Sequence, residues 1–92
     1  MGNSPETEIT NNENIEVFPN PSNGIFQLSL KDVDGVVSYS VFDALGKEIR
    51  FESFVANGRT QKDIDLSEFE SGVYTIQLNT GNGIFSEQLV KK

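Results

Sequence analysis

Gly24-Ile25-Phe26-Gln27-Leu28-Ser29-Leu30 decides the fold class, because its apolar residues Phe26, Leu28 and Leu30 recur at a period of two. Alternation at that period puts three large side chains on one face of an extended strand and polar ones on the other. Val37-Ser38-Tyr39-Ser40-Val41 repeats the pattern with Val37, Tyr39 and Val41 inward, and Tyr74-Thr75-Ile76-Gln77-Leu78 repeats it with Thr75 and Gln77 facing water. Residues 16–18, 47–54, 60–66 and 84–90 bring the expected strands to seven. No segment keeps a helical period over three turns.

Turn chemistry separates these runs. Asn57-Gly58 and Asn82-Gly83 supply the positive φ angles of tight hairpins, and Asp43-Ala44-Leu45-Gly46 fits a type I turn with Asp first and Gly last. Ser67-Glu68-Phe69-Glu70 has capping-box spacing and predicts a single helical turn before Gly72. Tyr74, at the start of a strand, is placed for a tyrosine corner, its hydroxyl bonded to upstream backbone. Short strands punctuated this often predict an all-β, seven-stranded antiparallel Ig-like β-sandwich over residues 15–92.

The chain has 92 residues, enough for one modest core that buries roughly 60–65% of the unfolded surface. Residues 3–14 carry three Glu, four Asn and one Ile with no aromatic residue, so residues 1–14 are expected to be a disordered linker. The residues after Met1-Gly2 read like the middle of a longer chain. The net charge is −7, but Glu6, Glu8, Glu13 and Glu16 fall in the first sixteen residues, which hold no Lys or Arg. The remainder carries a net charge of only −3. The acidity argues against nucleic acid, whose phosphates are met by Lys and Arg. No apolar run approaches the length of a membrane span.

Without His or Cys there is no imidazole or thiolate nucleophile, no N/S metal site and no disulfide. No cofactor, metal or small-molecule substrate is expected. Asp63 and Asp65 share a strand face as glycosidase carboxylates do, but the solvated face opposite Ile64 and Leu66 is the better account. Asp32-Val33-Asp34-Gly35 opens like a calcium loop, yet Val36 stands where a third oxygen ligand belongs and no Glu closes the loop, so it reads as a turn. Nine aromatic residues raise the question of a sugar platform. Core packing is the default for Phe42, Phe51, Phe54 and Phe85, although Phe42 adjoins inward Val41 and parity turns it the other way. Pro19 and Pro21 end the first strand and stiffen the bend after it, and so much conformational specification within six residues suggests a recognised surface.

Taken in order, these motifs resemble a known family. Val17-Phe18-Pro19-Asn20-Pro21-Ser22-Asn23-Gly24-Ile25-Phe26 resembles the "YPNPxxGxF" opening of the type A C-terminal sorting domains of the Bacteroidetes type IX secretion system. Val41-Phe42-Asp43-Ala44-Leu45-Gly46-Lys47-Glu48-Ile49 is similar to its "vyDxxGkxv" segment, and Ile64-Asp65-Leu66-Ser67 with Gly72-Val73-Tyr74-Thr75-Ile76 to its "idlsxlxxGvYxv" segment. Leu89-Val90-Lys91-Lys92 matches its apolar, basic-tipped end, with Phe18 where Tyr is commoner and Gln88 where Lys often stands.

The resemblance implies an address label. A passenger protein N-terminal to the domain crosses the inner membrane by a signal peptide, and the domain engages the outer-membrane translocon from the periplasm. A surface sortase then cuts the domain away, leaving the passenger on the outer-membrane surface, in many cases attached to lipopolysaccharide, or outside the cell. The residues it implicates in translocon or sortase recognition are Pro19, Asn20, Pro21, Gly24, Gly46, Gly72, Tyr74, Leu89, Val90, Lys91 and Lys92. The polar linker would admit the sortase, and the C-terminal strand would offer free backbone groups and positive charge. The competing expectation is an Ig-like accessory module, a spacer or a carbohydrate-binding domain of an extracellular enzyme, reading its ligand with exposed aromatics.

Overall fold

Two eighteen-residue strands, β3 (Ile25–Phe42) and β4 (Glu48–Asp65), pair antiparallel along their whole length in the computed structural model, which describes residues 8–9, 14–81 and 83–92. A straight strand of that length would reach about 60 Å. The longest dimension of the molecule is 39 Å, so the hairpin is bent. The bend is a β-bulge: between the pairs Leu30↔Thr60 and Val33↔Gly58, β3 carries Lys31 and Asp32 where β4 carries only Arg59. Asp32 takes a positive φ of 59° there, and the Gly58 amide donates to Asp34 Oδ1 at 2.8 Å. One extra residue also reverses the inward parity. Phe26, Leu28 and Leu30 are buried before the bulge, and Val33, Val37, Tyr39 and Val41 after it.

Four further strands complete the sheet: β1 (Glu8–Ile9), β2 (Ile15–Phe18), β5 (Gly72–Thr80) and β6 (Gly83–Lys91), in the order β1-β6-β5-β3-β2 with β4 also on β3. The first half of β3 pairs with β2 and the end of β4, and its second half pairs with β5 and the start of β4. Curling at the bulge brings the two halves around one core, in which Phe26, Leu28 and Ile64 join Tyr39, Ile76, Leu78 and Leu89. Each of these is at most 1% exposed, and burial of side chains this size is the main favourable term in folding.

Seven expected strands thus become five from Ile15 onward, and the expected two-sheet sandwich is one curled antiparallel sheet. Residues 24–30 and 37–41 belong to one strand, as do 47–54 and 60–66. Asn57-Gly58 and Asp32-Val33-Asp34-Gly35 are not chain reversals; they face each other across the bend, because the ladder continues past both of them. The β5–β6 hairpin does form, but Thr80 pairs with Gly83, so the two-residue connection is 81–82 and Gly83 opens β6. Asn82 lies outside the described residues. The helical turn expected at 67–70 is instead a β-turn closed by the Phe69 amide on Leu66 O, since Asp65 Oδ1 takes both the Ser67 amide and hydroxyl. Most of the linker expected over residues 1–14 lies outside the described residues. Glu8–Ile9 pairs parallel with Ile84 and Phe85 of β6.

Where β4 folds back on itself, a charged latch closes the side of the core. Lys62 Nζ meets Glu52 Oε2 at 2.7 Å and lies 5.3 Å from the Phe54 ring centre, and the Tyr39 hydroxyl donates to Glu52 Oε1 at 2.8 Å. Among the described residues β4 pairs with β3 alone, and charged side chains turned inward along such an edge oppose pairing with another chain. The Lys62 ammonium, then the Tyr39 hydroxyl, hold the Glu52 carboxyl below its ordinary 4.5, while burial and then Glu52 hold the Tyr39 hydroxyl far above its ordinary value.

A depressed carboxylate stabilises the fold fully above its unfolded value and loses that contribution as pH falls through its folded one. Wild type is therefore expected to be more stable than Glu52→Gln at pH 7 and to lose that advantage below about pH 4.5. Both partners are about a third exposed, so screening keeps the effect below about 1 kcal/mol. Urea midpoints of the two proteins at pH 7 and pH 3 check this, and an equal gap at both would exclude the latch as its source.

Candidate functional site

The bend returns both ends of β3 to one pole of the molecule, and four separate stretches of chain meet there. They are residues 19–24, the turn at 43–46, the loop at 66–71 and the end of β6. Gly24 O accepts the Leu66 amide at 2.7 Å, and Ser22 forms a parallel bridge with Lys91. Asp43, Leu45 and Lys47 from the turn line a groove of about 460 Å³ with Glu68, Phe69 and Tyr74. Leu45, at the tip, is 94% exposed.

Each stretch is shaped by local chemistry. Asp43 Oδ1 accepts the amides of Leu45 and Lys47, both at 2.9 Å, while Gly46 closes the turn on Asp43 O at 3.0 Å with φ 86°. The expected type I reversal is therefore present. Tyr74, buried at the start of β5, donates its hydroxyl to Glu70 O at 2.5 Å, the bond expected of a tyrosine corner. Gly72 opens β5 opposite Lys91.

The segment after β2 lies along the outer edge of β6. Both peptide bonds before its prolines are cis. Asn20 Nδ2 donates to Gln88 O at 2.8 Å, and the Val90 amide donates to Asn20 Oδ1 at 2.9 Å. Beyond Pro21, the Ser22 amide donates to Val90 O at 3.0 Å and the Lys92 amide to Ser22 O at 2.8 Å. Strands leave every second residue's backbone groups pointing away from the neighbour, and here Gln88 O, both groups of Val90 and the Lys92 amide are occupied. The terminal strand therefore does not offer the free backbone edge expected of it between Gln88 and Lys92.

The eleven residues singled out in the sequence gather at this pole, but not all face solvent. Pro19, Asn20, Pro21, Gly46 and Lys92 are exposed, Gly72, Val90 and Lys91 are partly so, and Gly24, Tyr74 and Leu89 are buried. Sequence reasoning missed Ser22, and it read Asp65 as solvated face without its bonds to Ser67. Ser22 is 5% exposed, donates to Ile25 O at 2.6 Å and accepts the Gly24 amide at 3.1 Å, so it fixes the entry to β3. A Ser two residues before a Gly is the only local signal for it.

Asp63 and Asp65 pair with Gln27 and Ile25 on the side facing away from the core, and Asp65 is engaged by Ser67, whose hydroxyl and then amide hold its carboxyl below the usual range. No cluster of three potential metal-ligating side chains occurs among the described residues. Of the aromatics expected in the core, Phe85 is buried and Phe54 packs against it. Phe51 is 59% exposed, because it pairs with Ser40 on the side of the sheet away from the core.

The domain is all-β, and motif segments far apart in the sequence converge on one of its poles. Residues 16–92 match the secretion system C-terminal sorting domain, and the chain belongs to that family, the C-terminal signals of type IX secretion. It is also 35% identical over 79 residues to an endo-acting ulvan lyase of Formosa agariphila. That match takes in 85% of this chain and 15% of the lyase, so the chain spans a small fraction of this relative's length.

Proposed function

We propose that this domain carries an N-terminal passenger from the periplasm through the type IX outer-membrane translocon, and that a surface sortase then removes it by cutting within residues 1–14. As a type IX signal the domain directs export to the cell surface or the extracellular space. The observation that carries the finer reading is the convergence of four sequence-distant motif segments on one pole, which gives a translocon a single surface to grip. Lys91 and Lys92 supply its basic tip, and Pro19, Pro21 and Gly46 its exposed rim. The passenger that the lyase relationship suggests is a secreted enzyme acting on polysaccharide. A carbohydrate-binding role for the domain itself gains nothing from the aromatics, since the exposed ones, Phe18 and Phe51, sit on different halves of the sheet.

Residues 1–92 fused behind a periplasmic reporter are expected to export it from a type IX-competent host and to be missing from the exported product by mass spectrometry. Lys91→Glu with Lys92→Glu should cut export at least tenfold with the melting curve unchanged. Retention of the reporter by the wild-type fusion would overturn the reading.

A further inference from the structure

We propose that Asn20 is a fastener for the C-terminal strand rather than a residue read by a partner, so that the export signal is a composite of residues 19–22 and 88–92 held in one geometry. The inference rests on the export role for its functional arm, but the fastening stands on geometry alone. Val90 pairs with Val73 of β5 at a position whose amide and carbonyl both point away from β5. Beyond the sheet those two groups meet Asn20 Oδ1 and the Ser22 amide.

A side-chain amide sets N–H donors beside a carbonyl acceptor, so it can present a donor and an acceptor to a strand as a backbone residue does. Asn20 therefore stands in for a strand residue, bonding Gln88 O and the Val90 amide together, and after Pro21 the chain resumes the ladder with Ser22 on Val90 and Lys92. Proline has no amide to donate, so in this stretch the side chain of Asn20 supplies donor capacity that the flanking Pro19 and Pro21 cannot. The last bond in the series holds Lys92 itself, which orients the basic end of the chain. Asn20 is thus a positioning residue for Lys91 and Lys92.

Asn20→Ala removes both bonds. Asn20→Asp keeps the acceptor for the Val90 amide, loses the donor to Gln88 O and brings a carboxylate to the place where Nδ2 lies 3.5 Å from Glu87 Oε2. Native-state hydrogen exchange on the full chain is expected to show Val90 and Lys92 amides losing protection about tenfold or more in Asn20→Ala, with Leu28 and Ile76 amides unchanged. Asn20→Asp should show a smaller loss of the same pattern, and it serves where the alanine variant does not fold.

In the fusion assay both variants should export the reporter at least tenfold less than wild type, with melting temperature held within a few degrees. Unaltered protection at Val90 would overturn the fastener. Lost protection with full export would overturn the composite signal. Failure of the wild-type fusion to export would sink the export reading, while the exchange measurement would still decide the role of Asn20.

Discussion

Replacing Leu89 by alanine is expected to destabilise the domain by about 2–5 kcal/mol, the range for emptying a fully buried leucine site. Leu89 is 0% exposed, pairs with Tyr74 and belongs to the single core cluster. Small domains have only about 5–15 kcal/mol in total, so the substitution removes a large fraction of the stability. For a chain of this size the melting temperature should fall by roughly 10–30 °C. A urea or thermal titration measures it directly, and a cost under about 1 kcal/mol would show that the terminal strand is not docked as described. The consequence for function is that one motif holds two kinds of residue. Deleting residues 89–92 would abolish export by unfolding the domain as well as by removing a signal, whereas charge reversal at Lys91 and Lys92 leaves Leu89 in place.

Gly24→Ala should cost about 2–4 kcal/mol by a different route. Gly24 has φ 150°, outside the comfort of any residue with a side chain, and a Cβ built on it would lie 3.1 Å from the Ser67 Cα. Backbone atoms of the loop cannot move aside cheaply, because Leu66 is bonded to Gly24 O at 2.7 Å. Gly46→Ala is the comparison: its φ is 86°, but nothing stands within 4 Å of the added atom, so it should cost only the backbone strain of about 1–2 kcal/mol. Chemical denaturation of the two variants separates strain from collision. Equal costs would mean that Ser67 contributes nothing, and the close approach of residues 22–24 to the 66–71 loop would lose its support.

Both variants probe contacts that sequence reading anticipated only in part. Leu89 was legible as part of a short apolar end, and Gly24 as part of a turn, because each rests on a local pattern. That Leu89 is core and Gly24 is pressed against Ser67 depends on residues far along the chain. The same division explains the strand count. Phe26, Leu28, Leu30 and Val37, Tyr39, Val41 each announce a strand, but their opposite parity looks like two strands until a bulge is known to lie between them. Asn57-Gly58 has the local chemistry of a hairpin, and whether it reverses a chain or bends a ladder is settled by the strand that lies opposite.

By itself the sequence determined the all-β class, the inward-facing sets, the Asp43–Gly46 reversal, the corner bond of Tyr74 and the family, because periodicity and turn chemistry act over a few residues. Tertiary structure alone decided that the long β3–β4 hairpin folds over, that four motifs share one pole, and that Asn20 grips Val90 across seventy positions of chain. Bonds of that span depend on the closure of the whole sheet, and no local pattern encodes which edge a side-chain amide will find.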